Sequence, residues 1–474
     1  MHDRTPLAPK LHKDSGHCMG WLRFLATGSV LVVLLALLLP RNDHNLAKGP
    51  LATNEPQVAA AAHPPTADGA GLPQRRPSAG PSATAQEIVA RKVSQFACDR
   101  RAIAHAMAKR LKVEVSSEME RFFDAAEAGQ WDELQTRFES VHRQWQSDDS
   151  STDLRALWGP VNETFGVAEE AHNWPAQRLL DYGQAILGSL RPGMVYVGGT
   201  DPGRFIPTLL NETSESEHHI VLTQNALADR TYLDYANFLY GDSLATLTVE
   251  DSARAFQQYL ADAQQRLMHD QQFPAEPKQL RPGEDVRLVD GRPQVAGQIA
   301  VMGVNELLLQ SLMDKNPDLS FALEESFPLR ATYPHAVPLG PIMELRVQDE
   351  QDAFTPVRAA QTVDYWRAIA QQLVSDAEIP DGSWARMTYS KMAAAQANLL
   401  ADHNYNAEAE QAYRLGIELS SNGPEAAYGL ANLLLRIGRG DEARQILEDY
   451  SRKNPEQPSA ADSTLRATTP PPRQ

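Results

Sequence analysis

Apolar residues recur at helical spacing through the segment 85–192. Early members of this pattern are Ile88, Val89, Val93, Phe96 and Ala97. Residues three and four positions apart share one face of a helix, so the spacing predicts helices that each bury one side. The pattern is interrupted at Gly129 and in the loop 148–151, and it ends at Pro192-Gly193. We therefore expect helical hairpins that pack on one another.

After this segment the pattern changes to short apolar runs separated by amphipathic segments. The runs are Met194–Val197, Ile220–Thr223 and Leu244–Thr248, and the intervening helices are near Arg204–Leu210 and Thr231–Leu239. Strands that alternate with helices favour parallel pairing. The segment 193–348 is therefore predicted to form a small parallel, Rossmann-like α/β body.

Further elements are predicted in the second half of this body. Thr248 and Asp251 have the spacing of a capping box, which predicts an amphipathic helix over Glu250–Met268. Asp290-Gly291 predicts the turn of a β-hairpin over Val286–Val295. The remaining predictions are a helix at Ile299–Met313 and strands at Leu319–Leu323 and Pro341–Val347.

The segment 390–455 matches itself at a shift of 34 residues. The run Ala397-Asn398-Leu399-Leu400 recurs as Ala431-Asn432-Leu433-Leu434, and Ala409 aligns with Ala443. In the second copy, small residues at Ala431 and Ala443 allow close approach of two helices, and Gly438 suits a turn. The segment resembles the tetratricopeptide repeat, a helix–turn–helix unit of this period.

Two repeats are too few to bury their own apolar faces. We expect them to stack on a helix at Val363–Val374, within a helical domain that spans 360–455. The first copy departs from the repeat pattern at Gln396, where an apolar residue is expected. Two interpretations of this domain stay open, a groove that binds a protein partner and a structural cap on the α/β body.

The most hydrophobic segment is Trp21–Leu39, whose 19 residues include a single charge, Arg23. A helix of this length spans roughly 28 Å, close to the hydrocarbon thickness of a bilayer. Arg4, Lys10 and Lys13 precede it, so the positive-inside rule predicts a cytoplasmic N-terminus and an extracytoplasmic bulk. A cleaved signal peptide is the alternative, but no small-residue cleavage motif directly follows the apolar stretch.

Composition indicates an acidic chain with folded cores. The 474 residues carry a formal net charge of −17, which argues against nucleic acid as a partner. Residues 1–20 are predicted as a short cytoplasmic segment, 40–84 as a Pro/Ala-rich linker and 456–474 as a disordered tail. The two cysteines lie on opposite sides of the predicted membrane helix, so no disulfide is expected.

Polar residues follow three of the predicted strands at their carboxyl ends. Gly198-Gly199 follows the first strand and precedes a helix, whose first backbone N–H groups attract anions. Ligands of open parallel sheets bind at such strand ends, so we predict a crevice for a glycan or an anionic small molecule. The candidate binding residues are Thr200, Asp201, Arg204, Asn225, Asp229, Glu324 and Glu325. The alternative is that Asp201, Asn225 and Asp229 cap helices and tie loops together.

Four central motifs carry a family resemblance. They are GGTDPGRFIPT from Gly198, LTQNALADRTYLDY from Leu222, EDSARAFQQYL from Glu250 and EESFPLRATYPHAVPLGPIMEL from Glu324. The region 131–347 resembles the soluble extracytoplasmic module of multi-spanning membrane proteins related to protein O-mannosyltransferases. Such transferases carry catalytic acids on loops between membrane helices, and this chain has one predicted span, so the resemblance implies an accessory module. The sequence departs from the family pattern at Leu329-Arg330-Ala331-Thr332, where that pattern has an Asp-Trp pair.

The expected fold class is therefore a mixture of α/β and all-α, with one transmembrane helix, helical hairpins, the α/β body and tetratricopeptide-type hairpins. The function predicted is a membrane-anchored, extracytoplasmic, non-catalytic protein that binds a protein partner through its repeats. The alternative is an enzyme or accessory subunit of glycan assembly, with Asp201 and Glu324 or Glu325 as acid–base candidates and Arg204 clamping an anion. No metal or cofactor is predicted, because zinc, serine-hydrolase and nucleotide-loop motifs are missing.

Overall fold

The computed structural model describes residues 83–146, 152–215, 218–281, 284–289, 291–325, 329, 331–345 and 354–455. The residues from Thr84 onward belong to one compact unit. The predicted membrane helix at 21–39, nearly all of the predicted linker, the loop 148–151 and the predicted tail lie outside the described residues. Of the helices that are described, none is long and apolar enough to cross a membrane.

Six helices form the first part of the described chain and confirm its helical pattern. They are α1 (Ala85–Leu111), α2 (Ser117–Glu127), α3 (Trp131–Gln146), α4 (Thr152–Ala156), α5 (Trp158–Asn173) and α6 (Ala176–Leu187). Thr84 and Glu87 form a capping box that begins α1. Gly129, with a φ of +66°, makes the predicted turn between α2 and α3.

The strands form one five-stranded sheet and a separate hairpin. They are β1 (Val195–Gly198), β2 (Ile220–Thr223), β3 (Asp285–Val289), β4 (Arg292–Ala296), β5 (Phe321–Leu323), β6 (Ala336–Leu339) and β7 (Ile342–Leu345). The sheet order is β2-β1-β5-β7-β6, and β3 and β4 form the predicted hairpin.

The sheet is mixed, which corrects the prediction of a parallel sheet. β1 pairs in parallel with β2 and β5, as expected from strands that alternate with helices. β7 instead pairs antiparallel with both β5 and β6. Only two residues, Gly340-Pro341, join β6 to β7, and so short a connection permits antiparallel pairing alone.

Four helices complete the α/β body. They are α7 (Asp201–Glu212), α8 (Arg230–Tyr240), α9 (Val249–Gln272) and α10 (Gln298–Lys315). The capping box of Thr248 and Asp251 begins α9 as predicted. The strand predicted at Leu244–Thr248 is wrong, since this segment pairs with no other strand. The side-chain amide of Asn316 bonds both the N–H and the carbonyl of Ala245, and thereby replaces a neighbouring strand.

Five helices form the C-terminal part. They are α11 (Pro356–Val374), α12 (Trp384–Asp402), α13 (Asn406–Leu419), α14 (Pro424–Arg436) and α15 (Gly440–Lys453). The hairpins α12–α13 and α14–α15 turn at Asn404 and Gly438, which are 34 residues apart and both have a positive φ. Ala359 and Val363 of α11 share the buried core of these hairpins. The predicted stacking of the repeats on a preceding helix is therefore confirmed.

α12 packs between its own hairpin and the α/β body, and most of its residues are buried. Trp384 donates a hydrogen bond from Nε1 to Glu170 Oε2 at 3.1 Å. Gln396 Nε2 donates to the carbonyl oxygen of Ile342 in β7 at 2.8 Å. This bond explains why a polar residue stands at an apolar position of the repeat. We call the contact that Trp384, Gln396 and Asn398 make with α5 and the α/β body the α12 seam, and we include Lys391, whose charge acts on Asp201.

Candidate functional site

Glu324 lies at the centre of the strand-end cluster, directly after β5. Its carboxylate accepts hydrogen bonds from the N–H groups of Gly199 and Thr200, at 2.8 and 2.9 Å. It also accepts from the hydroxyl groups of Thr200, at 2.7 Å, and Tyr182, at 3.2 Å. Glu324 is only 2% exposed, so these bonds form away from bulk water. Together they join the end of β5 to the loop that follows β1.

This arrangement fills the anion position that the sequence predicts at the start of α7. The N–H groups of Gly199 and Thr200 lie at the positive end of the helix dipole, where a negative charge is stabilised. The anion that they hold is the carboxylate of Glu324. A Cβ atom on Gly203 would lie 1.8 Å from Glu324 Oε2, so this glycine leaves the space that the carboxylate occupies. The glycine-rich loop therefore surrounds an internal anion.

The smaller polar residues of the cluster join loops to helices. Thr200 begins α7, because its Oγ1 accepts a hydrogen bond from the N–H of Gly203 at 2.9 Å. Asn225 Nδ2 donates to the carbonyl oxygen of Gly199 at 2.5 Å. Asp229 caps α8 by accepting from its first backbone N–H groups. Burial raises the pKa of Asp229, although these N–H groups favour its ionised form.

Arg204 is held by a carboxylate and by two aromatic rings. Its Nη2 lies 3.4 Å from Oε1 of Glu163, on α5. Its guanidinium carbon lies 4.8 and 5.2 Å from the ring centroids of Phe205 and Tyr232, within the range of cation–π attraction. An incoming anion would compete with Glu163 for this guanidinium.

Glu163 is a buried carboxylate that the sequence does not single out. Arg100 Nε donates to its Oε2 at 2.8 Å, and the hydroxyl of Tyr235 donates to the same oxygen at 2.7 Å. Burial alone raises the pKa of Glu163. The positive charges of Arg100 and Arg204, helped by the tyrosine hydroxyl, outweigh burial and hold the pKa below its ordinary value. Glu163 is therefore an ionised centre that orders the side chains of α1, α7 and α8.

Asp201 is the first residue of α7 and is partly buried beside Arg204. Burial raises the pKa of Asp201 to about 6, although the positive charges of Arg204 and Lys391 favour the ionised form. The negative charge of Glu324 acts in the same direction as burial. A carboxyl group that titrates near neutrality is suited to exchange a proton with a ligand.

Glu325 contacts a different set of residues from its neighbour Glu324. The hydroxyl of Tyr333 donates to its Oε1 at 2.8 Å, and the N–H of Leu329 donates to its Oε2 at 3.2 Å. The side-chain amide of Asn398, on α12, also bonds it. Burial raises the pKa of Glu325 to about 8, against the effect of these donors. Successive residues of an extended chain face opposite sides, so Glu325 faces away from the cluster around Glu324. Its contact with Asn398 places it in the α12 seam.

The structure thus brings most of the candidate residues together and separates one. Thr200, Asn225 and Glu324 meet around Gly199. Asp201 and Arg204 follow in the first turn of α7. Asp229 lies close enough to Arg204 for the positive charge of the arginine to oppose the rise that burial causes in the pKa of Asp229. The contacts of Asn225 and Asp229 match the capping alternative, while the prediction that the candidate residues bind a ligand stays a prediction.

Among the described residues, neither a metal-binding group nor either of two surface pockets adds a binding residue to the strand-end cluster. In the part of the chain that the structure describes, no group of three His, Cys, Asp or Glu could hold a metal ion. One surface pocket, of about 670 Å³, lies between α2 and α3 beside Trp131. Another, of about 120 Å³, lies among α13, α14 and α15. Neither pocket is lined by a candidate site residue.

The first helix of each repeat hairpin carries an equivalent stripe, meaning a row of polar residues along one face of the helix. The two stripes have different surroundings. Lys391 and Asn398 lie two turns apart on α12, and a shift of 34 residues gives Glu425 and Asn432 on α14. Lys391 Nζ lies 3.4 Å from Glu425 Oε1, so the two stripes are neighbours. Asn398 bonds Glu325 of the body, whereas Asn432 is exposed. The body therefore covers the stripe of α12 and leaves Asn432 on α14 accessible.

Comparison with known proteins supports the repeat assignment. Residues 399–467 match the family model described as tetratricopeptide repeat. No curated protein and no solved structure matches the chain. The chain therefore carries tetratricopeptide-type hairpins, which generally mediate protein–protein interaction. The resemblance of 131–347 to proteins related to O-mannosyltransferases stays a prediction.

Proposed function

We propose that this protein is a non-catalytic scaffold, anchored in a membrane, that binds a protein partner outside the cytoplasm through its second repeat hairpin. The difference between the two hairpins is the observation that carries the proposal. The body contacts the stripe of α12 through Glu325, whereas the equivalent Asn432 on α14 is exposed. In the second stripe Glu425 pairs with Lys391, and Asn432 is the position that stays accessible to a partner.

The membrane anchor and the orientation rest on the sequence. Trp21–Leu39 has the length and apolar character of a spanning helix, and basic residues precede it. The Pro/Ala-rich segment 40–84 would separate the folded body from the bilayer. The acidic composition disfavours binding to anionic lipid surfaces, so attachment would depend on the anchor.

Site-specific crosslinking in intact cells tests the docking surface. A photo-reactive amino acid at Asn432 should give a defined protein adduct. The same group at Glu448, which is exposed on α15, is the matched control and should not give that adduct. Equal adducts from both positions, or none from Asn432, would contradict the proposed surface.

An epitope at the C-terminus tests the orientation separately. Protease added to intact cells, with the outer envelope permeabilised where one is present, should remove the epitope. A cytoplasmic control protein should stay intact in the same sample. An epitope that is protected until the cytoplasmic membrane is broken would contradict the extracytoplasmic location.

A second candidate function is an enzyme or accessory subunit of extracytoplasmic glycan assembly. Two features favour it: burial raises the pKa of Asp201 to about 6, and Arg204 lies in the same helical turn. In that function Asp201 would exchange a proton and Arg204 would bind an anionic group. If Asp201→Asn leaves glycan output unchanged in cells, this candidate is removed.

A further inference from the structure

The α12 seam aligns three carboxyl groups, one from α5 and two from the α/β body, with one face of a single helix. Trp384, Lys391 and Asn398 are spaced by seven residues, so they lie on one face of α12. Opposite them are Glu170 at Trp384, Asp201 near Lys391 and Glu325 at Asn398. The central carboxyl group has a lysine nearby, whereas the two outer ones have neutral donors.

Glu170 is 3% exposed and receives a hydrogen bond from the indole of Trp384. The charged groups that face it are negative: Asp201 from α7 and Glu169 on its own helix. No described lysine or arginine forms an ion pair with Glu170. Burial and the charge of Asp201 raise the pKa of Glu170 well above its ordinary value.

Glu325, at the other end of the seam, is also 3% exposed. The polar groups that face it are the hydroxyl of Tyr333, the amide of Asn398 and, from α10, the carboxylate of Glu306. The charge of Glu306 further disfavours an ionised Glu325. Both outer carboxyl groups are therefore buried between a negative neighbour and a neutral donor from α12.

We propose that the α12 seam is a proton-dependent contact, closed while Glu170 and Glu325 carry protons and loosened when they ionise. A buried charge without a counter-ion is costly, and water that enters the seam relieves that cost. Opening would separate the stripe of α12 from the α/β body and would leave the α14–α15 hairpin folded. This inference does not depend on the proposed partner binding.

Hydrogen exchange of the full-length protein at pH 6 and pH 9, corrected for intrinsic exchange rates, measures this opening. In the wild type, protection of α12 amides should fall at least about tenfold between these pH values. Protection of α15 amides serves as the internal reference and should change less than about twofold in the same samples. The wild-type comparison needs no substitution in the seam.

Substitution then assigns the effect to the two carboxyl groups. In the Glu170→Gln, Glu325→Gln double variant, protection of α12 should be the same at both pH values. Glu448→Gln, an exposed substitution on α15, is the matched control and should keep the wild-type pH dependence. Unchanged protection of α12 at pH 9 in the wild type, or a loss that persists in the double variant, overturns the proposal.

Discussion

Replacing Glu324 with alanine tests whether this carboxylate organises the strand-end cluster. The carboxylate accepts from two backbone N–H groups, of Gly199 and Thr200, and from the hydroxyl groups of Thr200 and Tyr182. Alanine removes the acceptor and leaves these donors in a buried environment. Among the described contacts, the Tyr182 hydroxyl and the two N–H groups have Glu324 as their acceptor and no other.

The expected loss follows from the number of donors left without a partner. A buried donor that loses its acceptor costs about 1–3 kcal/mol, and a trapped water recovers part of that cost. Three donors at the lower end of this range give a destabilisation of about 3–5 kcal/mol. Glu324→Gln keeps one acceptor oxygen but places an amide group among donors, so roughly half of that loss is expected.

Urea unfolding followed by circular dichroism measures these losses. The exposed substitution Glu448→Ala is the control and should change the free energy of unfolding by less than about 0.5 kcal/mol. A double-mutant cycle with Gly203→Ala sharpens the test, because the new Cβ would lie 1.8 Å from Glu324 Oε2. The cost of Gly203→Ala should fall by more than about 1 kcal/mol when Glu324 is already alanine.

Two results would refute this reasoning. One is a loss below about 1 kcal/mol for Glu324→Ala, which would mean that the buried donors find other partners. The other is an equal cost of Gly203→Ala in both backgrounds, which would mean that the carboxylate does not occupy the space beside that glycine.

Three further substitutions test other parts of the structure. The pKa of Glu325 is about 8 in the folded protein and lower in the unfolded chain, so its protonation stabilises the fold at low pH. That contribution is lost as pH rises from about 4.5 to 8, by about 1.4 kcal/mol per pH unit, and Glu325→Gln should reduce the slope of stability against pH in urea unfolding by that amount. Gly438→Ala should cost about 1 kcal/mol in thermal unfolding because φ is +81°, whereas Asn404→Gly at the equivalent turn should be neutral. Gln396→Leu should destabilise by less than about 1 kcal/mol in urea, because the carbonyl of Ile342 loses its donor while the buried and unpartnered Oε1 of Gln396 is removed as well.

Much of the fold was predictable because it depends on local patterns. The apolar spacing gave the helices, and the capping box of Thr248 and Asp251 placed the start of α9. The antiparallel direction of β7 follows from its two-residue connection to β6, and it was missed because Ala336–Leu339 was not predicted to be a strand. The segment Leu244–Thr248 was mistaken for a strand because it is a short run of leucine, alanine and threonine, while in the fold a side-chain amide bonds its backbone.

The candidate site was predicted in part for a similar reason. Residues at strand ends were identified from their position in the sequence, and most of them meet as the topology requires. Glu163 was missed, because an acidic residue in a helix usually faces solvent. A signal was present in Gly159 and Gly166, seven residues apart on α5. A Cβ atom at either glycine would overlap an aromatic ring, Tyr235 or Phe205, of the neighbouring helices.

Gln396 shows how a departure from a repeat pattern locates an interface. In a hairpin that packs only on other repeats, a buried amide at this position would lose hydrogen bonds to water and gain none. Here its Nε2 donates to the carbonyl of Ile342, the first residue of β7. The polar residue is therefore favourable only while the α/β body lies against α12. The equivalent position in the second repeat is Leu430, which is buried in the core of the repeats, so an apolar residue returns where the α/β body does not lie against the helix.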